Sequence, residues 1–207
     1  HQSFFVIFPR EESSKSSAHV GTVNFPVATP VLTLEGSWNV SFDPAWGGPE
    51  NVVFDKLHDW TQHSERGIKY YSGSATYRKT FDAPAMSGKR TYLDLGTVHD
   101  MARVTLNGKD LGIVWCAPWR VDVTDVVKAK GNQLEIEVVN RWINRLTGDQ
   151  QPEDQNVRTL KWESGLLSGK SYKAGRYTYT TKNPCNRKTK LLPSGLIGPV
   201  RILGVQK

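Results

Sequence analysis

The chain has 207 residues, 38% hydrophobic and 23% charged, with a formal net charge of +7, a length suited to one large domain or one domain plus a fragment. Seven each of Trp, Tyr and Phe exclude a disordered tail. No apolar run approaches the roughly 18 residues that span a bilayer, and the start shows neither Met nor a signal-peptide pattern, so the chain reads as a non-membrane piece of something longer.

In chain order, SFFVIF at Ser3–Phe8 is strand-like and is followed by a polar stretch from Pro9 to Ala18. An opening strand without upstream context suggests that residues 1–30 are a tail strand and linker from a preceding domain, with a β-sandwich over 31–207. WNVSF (38–42), SATYRKTF (74–81), RTYLDLG (90–96), ARVTLNG (102–108), NQLEIEVVN (132–140), RYTYTT (176–181) and GPVRILGV (198–205) alternate apolar and polar residues as half-buried strands do. Ala102, Val104 and Leu106 fall on one face, and Leu134, Ile136 and Val138 do likewise. Asn107-Gly108 predicts a type I′ hairpin over 101–115. One helical turn is expected in DVTDVVKAKGN, capped by Thr124 or Asp125 and ended by Gly131. Residues 146–175 have no sustained period and read as a long excursion. Many short strands with little helix predict an all-β sandwich or jelly roll.

Enzymatic signatures are sparse. Glycoside hydrolysis needs two carboxylates flanking the scissile bond. Glu135 and Glu137 share a strand face, but a wet sheet face explains them, and Asp149 in Thr-Gly-Asp reads as a turn residue. His58 and His63 flank Asp59 and Trp60 without a metal-ligand pattern, and loop carboxylates are too thinly spread for Ca²⁺, so neither metal nor cofactor is expected. Cys116 and Cys185 have no metal or redox spacing and read as buried or half-buried thiols, with a disulfide between them as the alternative.

The basic clusters YRK (77–79), GKR (88–90) and NRKTK (186–190) are scattered and match no nucleic-acid module, so no nucleic-acid partner is expected. The same charge suits an acidic polysaccharide such as pectin. Sugar sites join an aromatic platform to hydrogen-bonding side chains. VWCAPWR with Trp115, Trp119 and Arg120, NRWINR (140–145), and DWTQH with KYY have that composition. For each Trp the competing role is packing in the core or between domains.

Taken together, YSGSATYRKTF, YLDLGTVHDMARVTLNGKDLG, APWRVDVTDVV and NQLEIEVVN resemble, in order, the galactose-binding-like jelly roll of glycoside hydrolase family 2 and its relatives. With SFFVIF, GSWNVSFDPAWGGP, VVNRWINRLTGD and LLPSGLIGPVRIL added, the chain is more similar still to the C-terminal domain of large bacterial family 106 α-L-rhamnosidases. The resemblance implies a non-catalytic accessory domain whose partners are a catalytic barrel of the same polypeptide and a plant polysaccharide, in the periplasm or outside the cell. It implies a loop at the rim of the substrate pocket, with Asn140 and Asn144 as leading candidates and Arg141, Arg145 and Asp149 as orienting or interface residues, while Trp142 between them is a candidate for substrate or interface contact. The 150–190 region, with QQPEDQN and NPCNRK, departs from the family pattern. VVNRWINRLTGD is therefore expected to be a strand with a polar exit loop. Two rivals are an autonomous carbohydrate-binding module and a self-contained enzyme using Glu135, Glu137 or Asp149.

Overall fold

A computed structural model describes residues 27–86, 90–151 and 183–205. The runs SFFVIF and RYTYTT lie outside the described residues, as does most of the 146–175 excursion. Alternation builds the central strands as expected. In β10 (Asn132–Val139) every second residue is buried, and β4 (Ser74–Phe81) buries Ala75, Tyr77 and Phe81. The two pair antiparallel over their full length, Asn132 opposite Phe81 and Val139 opposite Ser74. On the other side β10 pairs with β7 (Met101–Leu106), and β7 turns at Asn107-Gly108 into β8 (Lys109–Val114). Both turn residues have positive φ, 54° and 81°, as a type I′ hairpin requires.

With β2 (Trp38–Phe42) and β3 (Val52–Phe54) these strands form a six-stranded sheet, ordered β3-β2-β4-β10-β7-β8. Facing it is a four-stranded sheet of β1 (Ala28–Thr33), β12 (Arg201–Val205), β5 (Thr91–Asp94) and β9 (Arg120–Asp122), in the order β1-β12-β5-β9. A short pair, β6 (Thr97–His99) with β11 (Gly195–Gly198), completes the strands among the described residues. Tyr77, Val104 and Ile136 from one sheet and Leu93, Val121 and Ile202 from the other join a single buried cluster. The fold is an all-β, galactose-binding-like sandwich. The expected boundary after residue 30 falls inside β1, whose Ala28, Thr29 and Pro30 already pair with β12.

Three local expectations are corrected. Residues 124–126 form a turn instead of a helix. The Asp122 carboxylate accepts from the Thr124 N–H at 3.0 Å and its hydroxyl at 2.6 Å. Buried Asn132 meanwhile grips both the N–H (2.7 Å) and the C=O (2.6 Å) of Lys128. Side chains thus occupy backbone groups that a helix would use. Conversely, residues expected to be an exit loop and turn form helix α2 (Ile143–Gly148), and α1 (Arg66–Lys69) was not anticipated. Cys116, expected to be at least half-buried, is exposed, and both cysteines are free thiols.

Candidate functional site

The polar residues after β10 form a buried scaffold more than a surface. Asn140 accepts the Gly73 N–H at 3.0 Å on Oδ1 and donates from Nδ2 to the Tyr71 carbonyl (2.9 Å) and Ser194 Oγ (3.0 Å). Asn144 donates to the Leu192 carbonyl (2.8 Å) and Ser194 Oγ (2.9 Å) and accepts the Leu192 N–H (2.8 Å). Ser194 passes the connection on, its N–H donating to Asp59 at 3.0 Å. The most specific motifs of the chain, NRWINR and LLPSG, therefore hold each other. Such saturated amides secure loops that would otherwise leave backbone groups unpaired.

Arg145 is also internal. Its Nε lies 3.3 Å from Asp149 Oδ1, with the side chains 1% and 7% exposed. A guanidinium N–H donates to the Trp46 carbonyl, and the guanidinium carbon stands 6.0 Å from the Trp46 ring centroid. Gly148, in the segment read as a turn, instead lets α2 approach the chain at Tyr70. A Cβ there would come within 2.6 Å of the Tyr70 Cβ. Arg145 thereby fixes the 44–46 turn, a 3-10 segment opened by Asp43, beside the end of α2.

Between these elements lies a cleft of about 510 Å³ lined by Asp43, Trp46, Tyr71, Ser74, Val139 and Trp142, among others. Tyr71 ties its walls together, donating to the Ser74 carbonyl at 2.9 Å and accepting the Asp43 N–H at 3.1 Å. Burial pushes the Tyr71 phenol up from its usual range, so it stays neutral and keeps both bonds at physiological pH. Trp142 is 61% exposed although its neighbours Asn144 and Arg145 are buried. An indole at the mouth, a second in the wall and a carboxylate and hydroxyl nearby can meet the C–H face and hydroxyl rim of a sugar.

The remaining candidates separate clearly. Arg141 Nε pairs with Asp100 Oδ2 at 2.9 Å on the surface. Trp115 is 69% exposed, whereas Trp119 packs against the core and Arg120 pairs with Asp94 at 3.2 Å. Trp60 is wholly buried, so DWTQH contributes to the core. Glu135 accepts from Arg78 Nε at 2.8 Å on the outer face of the six-stranded sheet, paired with a cation as a surface carboxylate would be. His63 Nδ1 accepts the Glu65 N–H at 3.0 Å, and burial, then neighbouring His58, holds its pKa below the usual value. Among the described residues, no group of three or more His, Cys, Asp and Glu gathers as metal ligands, and no helix is long and apolar enough to cross a membrane.

Asp43, Trp46 and Ser74 were missed as cleft residues. FDPAWGGP lies in the sequence signature, yet that turn is held at the cleft by partners distant in sequence, the Arg145 guanidinium on the Trp46 carbonyl and the Tyr71 hydroxyl that accepts the Asp43 N–H.

The antiparallel sandwich is of the galactose-binding-like class. The chain belongs to the family described as glycosyl hydrolase 2 galactose-binding domain-like, whose model matches residues 55–189. It is similar to a rhamnosidase of known structure from Novosphingobium sp. PP1Y, with 36% identity and a TM-score of 0.74, covering 88% of this chain and 16% of that one. It is also 40% identical over 183 residues to a Formosa agariphila protein provisionally named beta-glucuronidase, covering 85% of this chain and 16% of that protein. The chain thus spans 16% of the length of each. The sequence resemblance holds at the level of the family, with a rhamnosidase among the structural relatives.

Proposed function

We propose that this chain is a non-catalytic accessory domain of a larger, exported bacterial glycoside hydrolase, with catalysis in a neighbouring barrel of the same polypeptide. Its substrate is a rhamnose-containing plant polysaccharide, pectic in type, and the end of the sandwich bearing α2 faces the barrel's substrate. The observation that carries this reading is the similarity to a rhamnosidase at a TM-score of 0.74 over 88% of this chain but only 16% of that enzyme. The internal use of Asn140, Asn144, Arg145 and Asp149 supports a scaffolding role for them, leaving Arg141 and Trp142 to meet a partner. Trp115, 69% exposed, offers a second exposed indole.

The two relatives carry names of different activities, so the substrate is tested on the parent polypeptide containing this chain. Hydrolysis of an aryl α-L-rhamnoside without hydrolysis of the aryl β-glucuronide is expected. The reverse preference would replace rhamnose with glucuronate. The exposed Trp142 beside a cleft also favours a second reading, an autonomous carbohydrate-binding module, in which the chain binds saccharide without a catalytic partner.

A further inference from the structure

Two histidines stack beside the turn that carries Trp60. The His58 and His63 rings lie 5.4 Å apart at 17°, and both rest on buried Phe54 of β3, at 4.4 and 5.6 Å. Between them in sequence the 3-10 turn Trp60–Gln62, opened by Asp59, sends its tryptophan into the core. That turn is fastened twice to the segment before β11. Asp59 accepts the Ser194 N–H, and the Trp60 N–H donates to the Ser194 carbonyl, each at 3.0 Å. Ser194 Oγ in turn accepts from Asn140 and Asn144. The imidazole pair therefore brackets the loop from which the α2 network is anchored.

Hydrogen bonding gives the two rings different roles. A carbonyl can only accept, so His58 Nδ1 donates to Lys56 at 2.9 Å, a bond it keeps whether or not Nε2 carries a proton. A backbone N–H can only donate, so His63 Nδ1 must present a lone pair to Glu65 at 3.0 Å. Protonating that nitrogen would set donor against donor at the start of α1, where Glu65 is the N-cap and its side chain makes no capping bond. The charged and titratable neighbours on the same segment are Asp55, Lys56, Asp59, Glu65 and Arg66. Asp59 is engaged by the Thr61 and Ser194 N–H groups, and Tyr77 of β4, its ring 6.1 Å from Phe54, is kept neutral by burial. Glu65 favours a charged His63, but burial and then His58 outweigh it and hold the pKa below the usual value. A native state that resists a proton the unfolded chain accepts keeps its full stability above the ordinary histidine range, about 6.5, and loses it as pH falls. We propose that His63, stacked on His58, is an acid-sensitive latch. A proton on its Nδ1 breaks the bond to Glu65, frees residues 58–65 and, through Ser194, loosens the network that holds α2. The latch is independent of which sugar the parent polypeptide cleaves.

Hydrogen exchange of the 207-residue chain, read by mass spectrometry at about pH 7.5 and about pH 5.5 and corrected for the intrinsic chemical rate, brackets the histidine range while leaving carboxylates ionised. Peptides covering 58–69 and 192–195 are expected to lose about tenfold in protection at the lower pH, the equivalent of one pKa unit. Peptides from the middle of β4 and β10 should keep theirs. His63→Asn is the discriminating variant, because an Asn side chain accepts the N–H two residues on and does not titrate. It should match wild type at the higher pH and show no acid loss. Equal protection of the wild-type loop at both pH values, or an acid loss that survives in His63→Asn, would overturn the latch. Nitrogen NMR shifts of the wild-type rings need no variant. At the higher pH His63 should carry its proton on Nε2, and a proton on Nδ1 would overturn the latch as well.

Discussion

Asp149→Ala is expected to lower the unfolding free energy by about 3–5 kcal/mol, because it leaves the buried Arg145 guanidinium without its carboxylate. Both side chains are at most 7% exposed. The same guanidinium donates to the Trp46 carbonyl, so the loss should spread to the 44–46 turn and the cleft wall. Asp100→Ala is the matched control. It breaks an ion pair with Arg141 whose side chains are 32% and 61% exposed, and an exposed pair is worth at most about 1 kcal/mol. Urea unfolding of the three proteins gives the comparison, provided the slope with denaturant is unchanged. Equal, small losses in both variants would mean that α2 does not depend on its internal ion pair.

The second large effect is expected for Trp60→Ala, at about 3–5 kcal/mol for truncating a buried Trp. Trp60 packs edge-on against Phe42 and Tyr71, with centroids 5.2 and 5.8 Å away. Its Nε1–H donates to Tyr77 Oη at 2.5 Å, and the Leu196 N–H donates to the same oxygen at 3.2 Å. The tryptophan thus joins β4 to β11, and it lies so close to Gly195, at φ 95°, that a Cβ at that position would clash with the indole. Calorimetric melting should show a fall in midpoint of about 10 °C. Trp60→Phe should recover part of it by refilling the cavity while leaving the Tyr77 oxygen one donor short. Full recovery by Phe would mean that the hydrogen bond contributes nothing.

The sandwich was legible because alternation is a local signal: Leu134, Ile136 and Val138 declare their face without reference to any partner strand, and Asn107-Gly108 declares its turn. Helix α2 was not legible. INRLTG is too short for a helical period, and it is held by Ser72, which accepts the Arg145 N–H at 3.1 Å, and by Leu192 through Asn144. Those partners lie 73 and 48 residues away in sequence. Asn140 and Asn144 attracted attention as polar residues in an aromatic setting, the composition of a sugar site. In the structure their amides bond backbone groups and the Ser194 hydroxyl, a use that looks identical in sequence. Trp60 and Trp142 likewise sit in similar polar-aromatic contexts, yet one is sealed in the core and the other stands at the cleft mouth. Sequence could name the aromatic residues but not sort them, because the sorting is done by loops folding over one tryptophan and away from the other.

For the accessory role, the decisive measurement is turnover of an aryl α-L-rhamnoside by the purified 207-residue chain beside the parent polypeptide that contains it, at equal molar concentration. The account predicts hydrolysis by the parent and none by the chain alone. Turnover by the chain alone, abolished by substituting Glu135, Glu137 or Asp149 in a variant that remains folded, would contradict it and make this sandwich the enzyme.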